Sequence, residues 1–445
     1  MYRSVMKKFF VSVGLAVAGT ASLQAAYAPD MADTSKMWSI SGTLRGFYDD
    51  NYATVNSNVR GSYGFEVSPQ IEMNVPLQQT EIGARYIYGL YYYQDRHELD
   101  QDSIDQTHQF DLWLDHAFTE QWQIRVQDSL VMAQEPGLLT PPGQAQTVPT
   151  RTEGNNIANA ATVRLNTDWT RLFSTVFTYQ NNFYNYQQSG GHVTGAPGFE
   201  SITNASLAGL LNRDENSAAL DFEWHTTTTT TLLIGYRYDQ VNYWGDEPIA
   251  VFNTTGPAHS TVFHSDSRDN RSHIGYVGFQ STLLPNLNVG ANVGVQYTDD
   301  YNDPQSTTSF GPYAVASLTY TYLPGCYAQI GVTHMRNATD QIGLNSSTGS
   351  IAQDQESTLV YGSINHKITP KLLATLIANY QNSTYHGGAF NNVADNLYGL
   401  GVNLNYAFTR HFSAEVGYNY DDYHSDLPGL SYSRNRVYLG VTATY

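Results

Sequence analysis

A two-residue alternation of apolar and polar side chains, kept up over segments of about nine to eleven residues, constrains this chain more than any other feature. In the last segment Val437, Leu439, Val441, Ala443 and Tyr445 fall on one face, and Arg436, Tyr438, Gly440, Thr442 and Thr444 fall on the other. Phe412, Ala414, Val416, Tyr418 and Tyr420 alternate likewise with Ser413, Glu415, Gly417, Asn419 and Asp421. Near the start, Phe65, Val67, Ile71, Met73 and Val75 alternate with Glu66, Ser68, Gln70, Glu72 and Asn74. Successive side chains of a strand point to opposite faces, so each segment meets two media. Soluble strands alternate too, but average only about 5–6 residues. The greater length is what a tilted membrane strand needs.

Composition agrees. Of 445 residues only 14% are charged, against about 25% in an ordinary globular chain. Aromatic residues, at 13%, give too much to bury for a disordered chain. After the N-terminus no run of 18 apolar residues occurs, so no membrane helix is expected. The single cysteine, Cys326, excludes a disulfide framework and a cysteine zinc site. A net charge of -18 disfavours nucleic acid as a partner.

Arg3, Lys7 and Lys8, the apolar run Phe9 to Ala18 and the small residues Ala25, Ala26 and Ala28 read as a cleaved secretory signal. Cleavage after Ala26 is favoured, because cutting after Ala28 would leave Pro29 first. The expected organisation is a signal peptide over residues 1–26, a short linker over 27–37 and one β-barrel over 38–445. Removing three basic residues from 22 leaves 19 against 40 acidic, or −21.

Connections alternate in length. Short turns centre near Gln78, Thr119, Asp168, Thr227, Pro285, Pro324, Thr369 and Thr409, several with a Thr or Pro between apolar residues. Longer polar stretches separate them, the longest at 134–156, 186–213 and 244–270. Eight short turns and nine long loops join eighteen strands, with both termini on the short-turn side. Sixteen is the alternative, because segments near 105–117, 271–283 and 356–366 alternate weakly. The fold class is therefore all-β: a transmembrane antiparallel up-and-down barrel with short periplasmic turns and long extracellular loops. Lipid tolerates no open sheet edge, so the strand around Ile40 to Tyr48 must pair with Val437 to Tyr445. Trp122, Trp169, Tyr322, Tyr406 and Phe408 near short turns, and Tyr92, Tyr238, Tyr297, Tyr380 and Tyr420 near long loops, suit the two aromatic girdles.

With its export signal, strand-pair repeats, Thr- or Pro-containing turns and aromatic last residue, the chain resembles the bacterial outer-membrane β-barrel porins over about residues 38–445. Val437, Leu439, Val441, Ala443 and Tyr445 resemble the signal read by the outer-membrane assembly machinery. The resemblance implies a multi-pass outer-membrane protein in contact with outer-membrane lipid, monomeric or homotrimeric; residues 27–37 are too few for a plug domain.

Such a barrel is too wide for side chains alone to fill. The charged residues expected to face its lumen are Arg45, Glu66, Glu72, Arg85, Asp111, Asp115, Arg125, Arg164, Asp221, Glu223, Arg237, Asp239, Glu415 and Arg436. That near-balance supports at most weak cation preference, and places most of the negative charge in loops and turns. These charges either set permeability or merely pair across strands. One long loop is expected to constrict the lumen. Pro136, Pro141, Pro142 and Pro149 stiffen the first; Asp246, His259, His264, Asp266 and Asp269 give the third an acidic character without metal-loop spacing. Phe47, Tyr91, Tyr361 and Tyr438 are candidate rungs of a saccharide-guiding ladder. His116, His225, His273 and His366 lie on or beside strands, but no nucleophile elbow or metalloprotease pair accompanies them.

The expected function is passive diffusion of small hydrophilic solutes through a water-filled channel, without enzyme activity or cofactor. The alternative is an occluded barrel with a structural, adhesin or polymer-export role.

Overall fold

The computed structural model describes residues 37–99, 102–141, 143–152, 154–195, 200–203, 205–253 and 260–445. The signal read over residues 1–26, almost all of the linker, Pro142 and His259 lie outside them.

Eighteen strands form one sheet. They are β1 Trp38–Asp49, β2 Ser62–Pro76, β3 Thr80–Tyr93, β4 Ile104–Ala117, β5 Trp122–Ala133 and β6 Asn156–Asp168, followed by β7 Phe173–Asn185, β8 Arg213–His225 and β9 Thr230–Tyr243. The second half runs β10 Asn270–Leu284, β11 Leu287–Asp299, β12 Thr308–Leu323, β13 Cys326–Asn337 and β14 Ala352–Thr369. It ends with β15 Leu372–Gly387, β16 Ala394–Thr409, β17 Phe412–Ser425 and β18 Tyr432–Thr444. Each pairs antiparallel with its sequence neighbours, and β1 pairs with β18 from Ser41 opposite Thr444 to Asp49 opposite Arg436. Ile40 and Tyr445 exchange backbone bonds of 3.1 and 2.8 Å at the seam. The sheet is closed with eighteen strands rather than sixteen. The weakly alternating segments are β4, β10 and β14. In β4 the pattern is blurred because Gln106 and His108 face outward while Trp113 faces inward, against Gly83.

Alternation maps onto two surfaces. On β1 the outward Trp38, Ile40 and Leu44 are exposed to the membrane side, while Phe47 and Asp49 are buried inside. Rows of directly opposed residues climb the wall: Trp38, Met73, Ala84, Leu112, Asp128, Ala161, Asn181, Asn216, Gln240, Arg271 and Asp299 run from the short-turn rim to the long-loop rim. That climb is the strand tilt a closed barrel requires.

Short turns repeat one device. A threonine hydroxyl accepts from the backbone N–H groups two or three residues on, which substitutes for strand pairing where the chain reverses. Thr119 accepts from Gln121 and Trp122 at 3.1 Å each, and Thr369 from Lys371 and Leu372 at 3.2 and 3.0 Å. The turn read near Asp168 is centred instead on Thr170, which accepts from Leu172 and Phe173. Outward aromatics gather at this rim, as where Trp122 meets Trp169 edge-on at 6.0 Å.

At the opposite end the long loops turn inward. Val131, Leu139, Val148, Tyr186, Leu210, Leu211, Ile249, Phe263 and Ile351 pack into one apolar core inside the mouth. It joins loops 134–155, 186–212, 244–269 and 338–351. Arg268, fully buried, ties them together by donating to the carbonyls of Leu210 (3.0 Å) and Thr339. Among the described residues, parts of all three longest loops thus enter the mouth, where one loop had been expected.

Candidate functional site: a loop across the lumen

Loop 134–155 leaves the β5–β6 wall and reaches the far side of the barrel. Its backbone at Gln146 donates to the Gln381 side chain on β15 at 2.7 Å, and Gln381 donates back to the Gln146 carbonyl at 2.8 Å. Tyr432 on β18 donates to the Pro149 carbonyl at 2.7 Å. Pro136, locked in φ, opens a single helical turn, Pro136–Leu139.

Charge fastens the loop at its root. Glu135 accepts from both terminal nitrogens of Arg434 at 2.9 and 3.1 Å, and Arg434 also pairs with Asp49 at 2.7 Å. Arg436 reaches the same Asp49 at 3.0 Å. Arg151, at the other end of the loop, pairs with Asp105 at 2.7 Å, as does Arg96 at 2.8 Å. Asp49 is fully buried and Arg434 4% exposed, so charges this enclosed depend on their mutual pairing. Burial works against ionisation of Glu135, but Arg434 and Arg151 outweigh it and hold the carboxyl below its ordinary range. On Arg151 burial likewise opposes the charge, and Asp105 and Glu135 more than offset it, pushing the guanidinium up.

The loop leaves two cavities. One, of about 360 Å³, lies towards β13–β18 and takes in Glu135, Arg151, Arg434 and Arg436. The other, of about 270 Å³, lies towards β7–β13 and holds Arg213, Arg237 and Arg336. Each arginine of the second is matched by a carboxylate: Arg213 with Glu215 at 2.6 Å, Arg237 with Asp239 at 2.6 Å and Arg336 with Asp354 at 2.7 Å.

All fourteen charged residues read as lumenal sit on the inward register, but they do not converge. Arg45 bridges Glu66 at 3.0 Å and Glu415 at 2.5 Å; Arg85 meets Asp111 at 2.8 Å; Arg125 meets Asp115 at 2.5 Å. Arg164 donates to Asn166 at 3.1 Å, Asp221 accepts from Tyr276 at 2.6 Å, Glu223 from Ser174 at 3.0 Å and Glu72 from Gln70 at 3.3 Å. Most of these charges therefore pair along the wall. Of the fourteen, only Arg436 belongs to the loop's anchor. Asp49, Asp105, Glu135, Arg151 and Arg434 were missed because they fall in or beside stretches that read as loops.

The aromatic ladder is corrected as well. Phe47 and Tyr438 form one buried cluster with Tyr52 and Tyr93, with Tyr91 packed against it and Arg45 5.3 Å from the Tyr438 ring centre. Only Tyr361 stands apart, between the two cavities. The four histidines lie in four separate places. His225 comes nearest to a catalytic pair, 3.0 Å from Ser174, but its other nitrogen faces Thr231 rather than a carboxylate. In the third long loop His264 meets Asp246 at 3.2 Å, while Asp269 is engaged by the Tyr243 N–H and Asn302, so these groups share no centre.

The eighteen strands, closed on themselves with an apolar outer face and an inward loop, have the architecture of an outer-membrane β-barrel. Residues 255–445 match the family described as "Putative beta-barrel porin 2", so the C-terminal part of the chain carries the pattern of that porin family. Among solved structures, OccAB4 of Acinetobacter baumannii is 13% identical over 92% of this chain and 99% of that one, with a TM-score of 0.42. OccK2 (OpdF) of Pseudomonas aeruginosa, in complex with glucuronate, is 10% identical over 92% and 98%, with a TM-score of 0.44. A BenF-like porin from Pseudomonas fluorescens Pf-5 is 11% identical over 92% and 99%, with a TM-score of 0.45. No curated protein matches the chain.

Proposed function

We propose that the chain is an outer-membrane channel for passive diffusion of small hydrophilic solutes, with at most weak cation preference and no catalytic role. The observation that carries this reading is the partitioned lumen: a polar inner wall that keeps cavities of about 360 and 270 Å³ beside the loop that crosses it. Inward charges that are mostly paired leave little net field to favour one sign of ion. On this reading residues 1–26 are a cleaved export signal. The strand ending Val437, Leu439, Val441, Ala443 and Tyr445 is presented to the barrel-assembly machinery, and the mature chain sits in lipid as a monomer or homotrimer.

Planar-bilayer recording and liposome swelling with graded sugars test it. Discrete conductance with a reversal potential close to zero is expected in a salt gradient. Silence across a wide voltage range would instead favour the occluded barrel with a structural, adhesin or polymer-export role. The apolar core inside the mouth is the feature that supports that second reading.

A further inference from the structure

We propose that the cavity towards β13–β18 is a binding site for a neutral, polyhydroxylated solute of mono- or disaccharide size. The proposal rests on the channel reading, and its argument is the mismatch between acceptors and donors on one wall.

The acceptors are free. Asn419 on β17 lines the cavity, is only 6% exposed, and has an amide oxygen with no hydrogen-bond partner. The amide oxygen of Asn379 on β15 is in the same state. Asp421, directly opposite Arg434 in the register, adds a carboxylate to the same wall. A polar group buried without a partner costs about 1–3 kcal/mol, so a ligand that donates to these oxygens gains what the bare site forgoes.

The guanidinium charges, by contrast, are each paired with a carboxylate. Arg434 is held by Asp49 and Glu135, Arg436 by Asp49, and Arg151 and Arg96 each by Asp105 through one terminal nitrogen; Arg151 Nε is left without a hydrogen-bond partner, but it belongs to the crossing loop and not to the wall that carries Asn379 and Asn419. Four guanidinium groups here face four carboxylates, those of Asp49, Asp105, Glu135 and Asp421, so the region carries no net formal charge. A carboxylate solute finds each cation already neutralised and further acceptors beside it. An amine finds Arg434 next to Asp421. Hydroxyl groups supply donors without charge, and Leu359, Tyr361, Ile377 and Leu397 offer the apolar floor that the C–H face of a sugar ring packs against. The volume lies within the range of small-ligand sites.

The test uses the full mature chain, with maltose as the probe. Calorimetry on detergent-solubilised protein should show maltose binding, and maltose should interrupt the single-channel current in bilayers. Asn419→Leu and Asn379→Leu should each weaken maltose binding by about tenfold, whereas Ser317→Ala in the other cavity should change it less than about twofold. Heat-modifiable migration confirms that each variant is a closed barrel. A chain that conducts but gives no maltose binding overturns the site, as does tighter binding of galacturonate or spermidine than of maltose. A chain that binds maltose but never conducts overturns the channel reading and leaves the site standing.

Discussion

At Glu135 a carboxylate rooted beside β5 is set against the β18 wall, where Arg434 holds it ionised despite its burial. Glu135→Gln keeps the shape and removes the charge. Uncoupling a buried ion pair costs about 3–5 kcal/mol, and the lower figure applies because Asp49 still pairs with Arg434. The loss falls on the seat of the loop rather than on the barrel ladder. We expect larger and noisier single-channel conductance with an unchanged heat-modifiable barrel; an unaltered current would mean that the loop does not limit flow. Asp128 poses the opposite problem. It faces outward opposite the exposed Leu112, with Val126 and Leu130 as its outward neighbours along β5, and accepts from Asn159 at 3.0 Å. Four strand steps along its row separate it from Trp38 at the rim. At about 4.8 Å per step and about 40° of tilt, that is roughly 12 Å, near the middle of a band about 25 Å tall. Asp128→Leu is therefore expected to stabilise the barrel in lipid vesicles by about 1–2 kcal/mol, measured by urea unfolding. Destabilisation would show that this face is covered by something other than lipid.

The strands were legible in the sequence because lipid and water impose a period of two on every long segment, and the repeated threonines marked the turns. The crossing loop was legible only in part. Its prolines declared a stiff segment, but nothing local in Gln146 points to Gln381, and a glutamine that meets another across open space leaves no periodic trace. The same limit hid Asp49 and Arg434, whose partners belong to other elements. Loops 300–307 and 338–351 show a further consequence of elements meeting at the mouth. Burial, with Asp354 adding to it and Arg336 opposing it, pushes Asp300 up to about 8. Burial, opposed by a bond from Gln341 and reinforced by Asp395, pushes Asp340 up to about 7. Both carboxyls hold protons more tightly in the folded cap than in an open loop. Their contribution is fully present below the ordinary carboxyl range and is lost as pH rises through these values. The cap should accordingly be tightest below about pH 4 and loosen between about pH 4 and pH 8. Limited proteolysis within 338–351 should accelerate across that window. Asp340→Asn should flatten the response, and a rate that falls with rising pH would refute the assignment.

For the whole molecule, charge is divided between compartments. The eighteen strands carry 21 acidic against 11 basic residues, so about half of the surplus acid lies on the wall and about half on loops and turns, where solvent ions screen it. Any cation preference should then fade as salt is raised from about 0.1 M to 1 M and the screening length shrinks from about 10 Å to 3 Å. Reversal potentials at the two concentrations provide the check; a preference that survives high salt would place an unpaired acid in the narrowest part. The tie between Gln146 and Gln381 joins positions 235 residues apart, one beside β5 and the other among the last four strands. The bore of the barrel is therefore fixed only once both of these distant segments are in the sheet. Until β15 is laid against its neighbours, loop 134–155 has no far wall to rest on, and an assembly intermediate short of those strands is a wide trough without a partition. Any block late in insertion should leave a leaky pore rather than a narrow one.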